Sequence, residues 1–160
     1  MTIYFYGKDN EFGCFSNFSS HGFELDGCWW VTSEHYFQAQ KFKGNKEHYD
    51  AIRMAKTPGA AARMGRSRKR PLRKDWERVK DDVMRKAVQK KFETHTDIRE
   101  ILLETDDESL VENAPNDYYW GCGRDGSGKN KLGMVLEEVR ANLLASVEGS
   151  ALAVEGDVDR

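Results

Sequence analysis

Thr32-Ser33-Glu34-His35-Tyr36-Phe37-Gln38-Ala39-Gln40-Lys41-Phe42 reads as the opening of a helix. At about 100° per residue, Glu34, Gln38 and Lys41 stand at i, i+4 and i+7 and share one stripe. A carboxylate, an amide and an amine then line up beside Tyr and Phe, an odd composition for a packing face. Two further blocks give the stripe meaning: Asp117-Tyr118-Tyr119-Trp120-Gly121, and the glycine-rich run from Gly121 to Gly133. Together they suggest a pocket for a sugar, a phosphate and a base.

Working outward from this helix, the chain reads as one mostly helical α+β domain with a small sheet. Ile3 to Tyr6 is a strand, and Glu11 to Ser20 is loop-like. Asp26-Gly27 is a turn pair between Phe23-Glu24-Leu25 and Cys28-Trp29-Trp30-Val31, which predicts a hairpin over Gly22 to Val31. Thr32 or Ser33 caps the helix that follows. A second helix covers Lys46 to Ala55. Thr57-Pro58 opens a third, and Gly65 sits where a stop is expected. A long helix begins at Asp75 or Trp76, and Thr96 to Glu104 forms a short amphipathic one. Leu110 to Asn113 is a short strand. Leu132, Val135, Leu136, Val139 and Leu143 mark a last helix. After about Ala145 the pattern dissolves, so 1–145 is expected to be the domain and 146–160 a disordered tail.

Composition limits the function classes. The chain has 160 residues, enough for one sizeable core. Its net charge of -2 gives no whole-protein attraction to nucleic acid. The three cysteines, Cys14, Cys28 and Cys122, lack CxxC spacing, and no His cluster accompanies them. Free thiols, no metal and no cofactor are expected. There is no basic leader before an apolar run and no run of membrane-spanning length, so a soluble, cytoplasmic protein is expected.

Two nucleotide motifs match in part. Gly121-Cys122-Gly123-Arg124-Asp125-Gly126 fits GxGxxG, and Gly123 to Lys129 fits GxxxxGK. Both need a buried strand before them and a βαβ frame. Asn116-Asp117-Tyr118-Tyr119-Trp120 is a poor buried strand, and Asn130 replaces the hydroxyl residue of a P-loop. A surface loop, with Asn130 capping the last helix, accounts for the spacing better. The basic run Arg63, Arg66, Arg68, Lys69, Arg70, Arg73 and Lys74 reads mostly as solvated, with Arg63 at a helix end the best placed for a structured role. Taken one at a time, Glu34 is a helix-dipole acid, Lys41 a solvated lysine and Asp117 a turn residue.

The joint pattern resembles the NADAR (YbiA-like) family. Phe15-Ser16-Asn17-Phe18, the 32–42 stretch, Ala62-Arg63-Met64-Gly65-Arg66, Leu72-Arg73-Lys74-Asp75-Trp76, Asp117 to Gly121, and Gly126-x-Gly128-Lys129-Asn130-Lys131-Leu132-Gly133 carry the likeness. It runs from Ile3 to about Leu144. Cys122 departs from it, standing where the family pattern has an acidic residue.

The resemblance implies a YbiA-like α+β fold and N-glycosidase activity. It implies hydrolysis of phosphoribosylated aminopyrimidine intermediates of riboflavin biosynthesis, releasing ribose 5-phosphate. Removal of ADP-ribose from guanine in nucleic acid is the family's other activity, and a non-catalytic ADP-ribose or phosphosugar-binding module is the rival class. The expected partner is a small phosphoribosyl or ADP-ribosyl molecule, with nucleic acid entering only as a modified substrate. By resemblance Lys41 would form a Schiff base with the opened sugar while Glu34 moves protons. A carboxylate pair, Glu34 with Asp117, is the other route. Trp76 or Trp120 would stack on the base, and Arg63 or Lys129 would hold the phosphate. Asn17, Gln38, Gly65, Gly121 and Asn130 complete the expected substrate contacts.

Overall fold

A computed structural model describes residues 1–158, with side chains described to residue 149. The helices are α1 (Ser33–Gln40), α2 (Lys46–Arg53), α3 (Pro58–Arg66), α4 (Trp76–Thr94), α5 (Thr96–Glu104) and α6 (Lys131–Val158). The strands are β1 (Thr2–Phe5), β2 (Phe23–Leu25), β3 (Cys28–Trp30) and β4 (Ser109–Glu112), and Gly13–Phe15 is a single 3-10 turn. The mostly helical α+β expectation holds. A disordered tail is expected over 146–160; α6 is described as helical to Val158, and 159–160 lie outside the described residues.

Local chemistry explains most boundaries. Asp26 and Gly27 both take positive φ, 55° and 79°, the tight turn that matches the twist of an antiparallel pair. β2 and β3 therefore pair with Leu25 opposite Cys28. Thr32 caps α1, its side chain accepting from His35 N, and Thr57 caps α3 by accepting from Ala60 N, with Pro58 in the first turn. Tyr36 donates to Asp26 Oδ2 at 2.7 Å and Lys86 to Asp26 Oδ1 at 2.6 Å. One turn carboxylate thus ties the hairpin to α1 and α4.

The other pairing is non-local. β1 and β4 run parallel with Phe5 opposite Glu112, and all five helices from α1 to α5 lie between them in sequence. Such a pair needs a long crossover. Two apolar clusters support this frame. Phe5, Phe15, Phe37, Trp76, Phe92, Leu110 and the buried face of α6 form one; Phe23, Trp30, Tyr36, Phe42 and Ile52 form the other. Helix α4 contributes to both, through Met84 and Val88 in the first and Ala87 in the second. Among the described residues no helix is long and apolar enough to cross a membrane.

Candidate active site

A cleft of about 420 Å³ opens where β1 and β4 both end, against the Glu34 and Gln38 face of α1. Its wall includes Tyr6 just after β1, Glu112 and Ala114 at the end of β4, and Glu34, Phe37, Gln38 and Lys41 from α1. Clefts at the carboxyl ends of parallel strands are a recurrent place for ligands.

The 34/38/41 stripe faces this cleft intact. Lys41 follows α1 in helical conformation, at φ -57° and ψ -27°, so the helical phase carries through to it. Its carbonyl accepts from Arg73 N at 2.9 Å, which anchors the end of the helix to the segment entering α4. Gln38 Nε2 donates to Glu34 Oε1 at 2.8 Å. The position of α1 is fixed from its other end by Asn17. Asn17 O accepts from Glu34 N at 3.2 Å, and Asn17 Oδ1 accepts from Ser33 Oγ at 2.8 Å.

Lys41 is 8% exposed, and among the described residues it forms no ion pair. Its Nζ lies 5.5 Å from the centre of the Phe37 ring and 5.9 Å from that of Trp76. Burial, then the positive charge of Arg68, bring its pKa down to about 8; Glu34 opposes this, and Arg66 and Lys80 add smaller lowering effects. Glu34 is raised by burial, with Gln38, Lys41 and Arg66 acting to lower it and Asp117 to raise it. An amine with a lowered pKa on the same stripe as a carboxyl raised by burial can add to an electrophilic carbon, with the carboxyl moving the protons this requires.

The other expected contacts separate. Asn17, Asp117 and Trp120 line the cleft with the stripe. Asp117 Oδ1 accepts from Tyr119 N at 3.0 Å and Trp120 N at 2.8 Å, so it also shapes its own turn. Trp76 is buried beneath Phe37, ring centres 5.1 Å apart, and is not part of the wall. Arg63 is exposed outside the cleft; Ala62 and Arg66, one helical turn apart, line it. Gly65 lies behind Gln38, and a Cβ there would overlap the Gln38 side chain. The residue lets α3 approach α1.

Gly121, Lys129 and Asn130 belong to a loop folded back on its own approach. Lys129 N donates to Tyr118 O, Asn130 N to Gly121 O and Leu132 N to Trp120 O, at 2.9, 3.0 and 3.0 Å. None of residues 121–130 lines the cleft. The Lys129 amine stands 5.5 Å from the Tyr119 ring centre instead. Asn130 does not cap α6 with its side chain. Its Oδ1 accepts from Glu112 N and its Nδ2 donates to Leu110 O, both at 2.9 Å, pinning β4.

Sequence reasoning missed Glu112, Arg66, Tyr6, Phe18 and Asn116, all of which line the cleft. Glu112 is the consequential one. Burial, then Asp117 and Glu34, push its pKa up to about 8. The signal in the sequence was slight: an acid at the end of a four-residue strand. Cys14, Cys28 and Cys122 are free thiols. Among the described residues no cluster of His, Cys, Asp or Glu is placed to hold a metal ion.

A family model described as the NADAR domain matches residues 4–144. The chain is 53% identical over 145 residues to an N-glycosidase of Nostoc punctiforme, covering 89% of this chain and 93% of that protein. It is 52% identical over 141 residues to the N-glycosidase YbiA of Escherichia coli, covering 88% of each. The solved structure of the E. coli protein YbiA superposes with a TM-score of 0.84 at 50% identity, over 91% of this chain and 86% of that one. It is also 42% identical over 169 residues to the chloroplastic riboflavin biosynthesis protein PYRR of Zea mays, covering 97% of this chain and 27% of that protein.

Proposed function

This chain belongs to the NADAR domain family and is a hydrolase of N-glycosyl bonds, and from that premise we propose that it cleaves phosphoribosylated aminopyrimidine intermediates of riboflavin biosynthesis, releasing ribose 5-phosphate. Likeness to a riboflavin biosynthesis protein supports the substrate class. The observation that carries the chemistry is the amine of Lys41, buried without an ion-pair partner among the described residues and on the same helical stripe as Glu34.

The reaction follows from the electronics of the bond. A sugar joined to an amino nitrogen can open at its ring oxygen to an imine at C1. The neutral Lys41 amine adds to C1, forming a C–N bond. Glu34 takes the proton shed by the attacking nitrogen and delivers it to the departing one, whose bond to C1 breaks. The lysine imine remains. Water adds to its carbon, and collapse releases the sugar phosphate as an aldehyde and restores the amine. Arg66, on the cleft wall, supplies a positive charge for the phosphate. Trp120, also on the wall, offers a flat face to the base.

The test is a panel assay that offers phosphoribosylaminopyrimidines and guanine-linked ADP-ribose to the purified protein and follows release of free sugar phosphate or ADP-ribose. Faster turnover of the aminopyrimidines is expected. Turnover of the guanine conjugate alone would overturn the substrate assignment.

A further inference from the structure

The buried carboxyl at the end of β4 has no place in the chemistry above. Glu112 has both sides of its backbone clamped: its N–H donates to Asn130 Oδ1 and its carbonyl accepts from Cys122 N, each at 2.9 Å. The side chain forms part of the cleft wall. Its Oε2 is buried and has no hydrogen-bond partner among the described residues. Leaving such an atom unpartnered costs about 1–3 kcal/mol, so a position this well fixed points to a partner supplied by the ligand.

The charges around the cleft decide which part of the ligand that is. Arg68, Arg66 and Lys80 act on Lys41, whereas Asp117 and Glu34 act on Glu112. Glu34 lies within reach of Lys41, Arg66 and Asp117, so it stands between the two ends. A phosphate is attracted to the cationic end and repelled from the acidic one. The base therefore lies toward Glu112, where Ala114, Asn116 and Trp120 of the same segment complete the wall.

The protonation state sets the hydrogen-bond code. With its pKa raised by burial and by Asp117 and Glu34, the carboxyl keeps its proton at neutral pH. A neutral carboxyl presents one O–H donor and one carbonyl acceptor on adjacent oxygens. Its complement is a ring N–H beside a C=O, the lactam edge of an oxidised pyrimidine or purine. We propose that Glu112 pairs with the lactam edge of the departing base and so determines which bases the cleft accepts. The proposal rests on the N-glycosidase reading and adds a specificity determinant to it.

Titration calorimetry on the full chain tests this without needing turnover. The probes are 5,6-diaminouracil, its 1,3-dimethyl derivative, which lacks the ring N–H, and ribose 5-phosphate. At about pH 7, Glu112→Ala should weaken diaminouracil binding by about tenfold or more and leave ribose 5-phosphate unchanged. The dimethyl compound should bind weakly to both proteins. Glu112→Gln keeps a donor and an acceptor, so it should bind diaminouracil within about threefold of the parent. The parent should lose base affinity as Glu112 ionises above about pH 8. The Gln variant, which retains Lys41, Glu34 and Asp117, should not.

Unchanged diaminouracil binding in Glu112→Ala would overturn the proposal, as would the same alkaline loss in Glu112→Gln. If the Ala variant does not fold, the pH profile of Glu112→Gln decides alone. Failure of the wild-type protein to cleave phosphoribosylaminopyrimidines, with this binding pattern intact, would overturn the substrate assignment and leave Glu112 in its role.

Discussion

Replacing Lys41 by arginine tests the core of the reaction. Arginine keeps the positive charge but cannot present a neutral nitrogen near pH 7. With its pKa at about 8, roughly a quarter of the lysine is neutral at about pH 7.5; at the ordinary value of 10.5 the share would be about 0.1%. Burial thus makes some two hundred times more nucleophile available. Removing it should lower kcat by at least about 10³-fold, about 4 kcal/mol of barrier. Wild-type kcat/KM should rise with pH toward about 8, the amine's titration. Borohydride added during turnover should fix the sugar to the peptide carrying Lys41. A second measurement guards against misfolding. Lys41 has a folded pKa below its unfolded one, so the cost of burying its charge is fully present below about pH 8 and fades as pH rises toward 10.5. Lys41→Met should therefore be inactive yet more stable at pH 7, by on the order of a few kcal/mol in chemical denaturation. A Lys41→Arg enzyme of normal activity, untrapped by borohydride, would refute the reasoning and leave the Glu34/Asp117 carboxylate route.

Other variants probe the frame. Arg66→Ala should raise KM for a phosphorylated substrate about tenfold or more with little change in kcat; equal KM values in steady-state assays would remove Arg66 from phosphate binding. Gly65→Ala should drive a methyl group into Gln38, costing about 1–3 kcal/mol in thermal melts and lowering activity by displacing the stripe. Lys91 is 1% exposed, donates to Ser16 O at 2.9 Å, and has its pKa brought down to about 7 by burial. Its folded pKa also lies below the unfolded one, so Lys91→Met should raise Tm at pH 6 and do so less at pH 10; an equal gain at both would show that the charge is not what burial penalises. Asn130→Ala removes two hydrogen bonds and places alanine at φ 52°, so a loss of about 2–4 kcal/mol is expected in denaturant unfolding.

Much of this protein was legible in the chain because the deciding forces were local. The Asp26-Gly27 turn, the Thr32 and Thr57 caps and the apolar spacing of α4, α5 and α6 are set by neighbours a few residues apart. The Glu34, Gln38 and Lys41 stripe belongs to the same class, since helical periodicity alone aligns it. What tertiary structure decided depends on contacts between distant segments. Glu112 meets the α1 stripe only because β4 pairs with β1 across the whole helical crossover. Arg66 rather than Arg63 lines the cleft because it lies one turn on from Ala62, on the face α3 turns to the site. Trp76 sinks beneath Phe37, and the glycine-rich loop spends its backbone donors on Tyr118 to Cys122 instead of a phosphate. Sequence periodicity fixes which side chains share an element's face; only the packing of one element on another decides what that face meets, and how far burial and neighbouring charges shift an amine or a carboxyl from its ordinary behaviour in water.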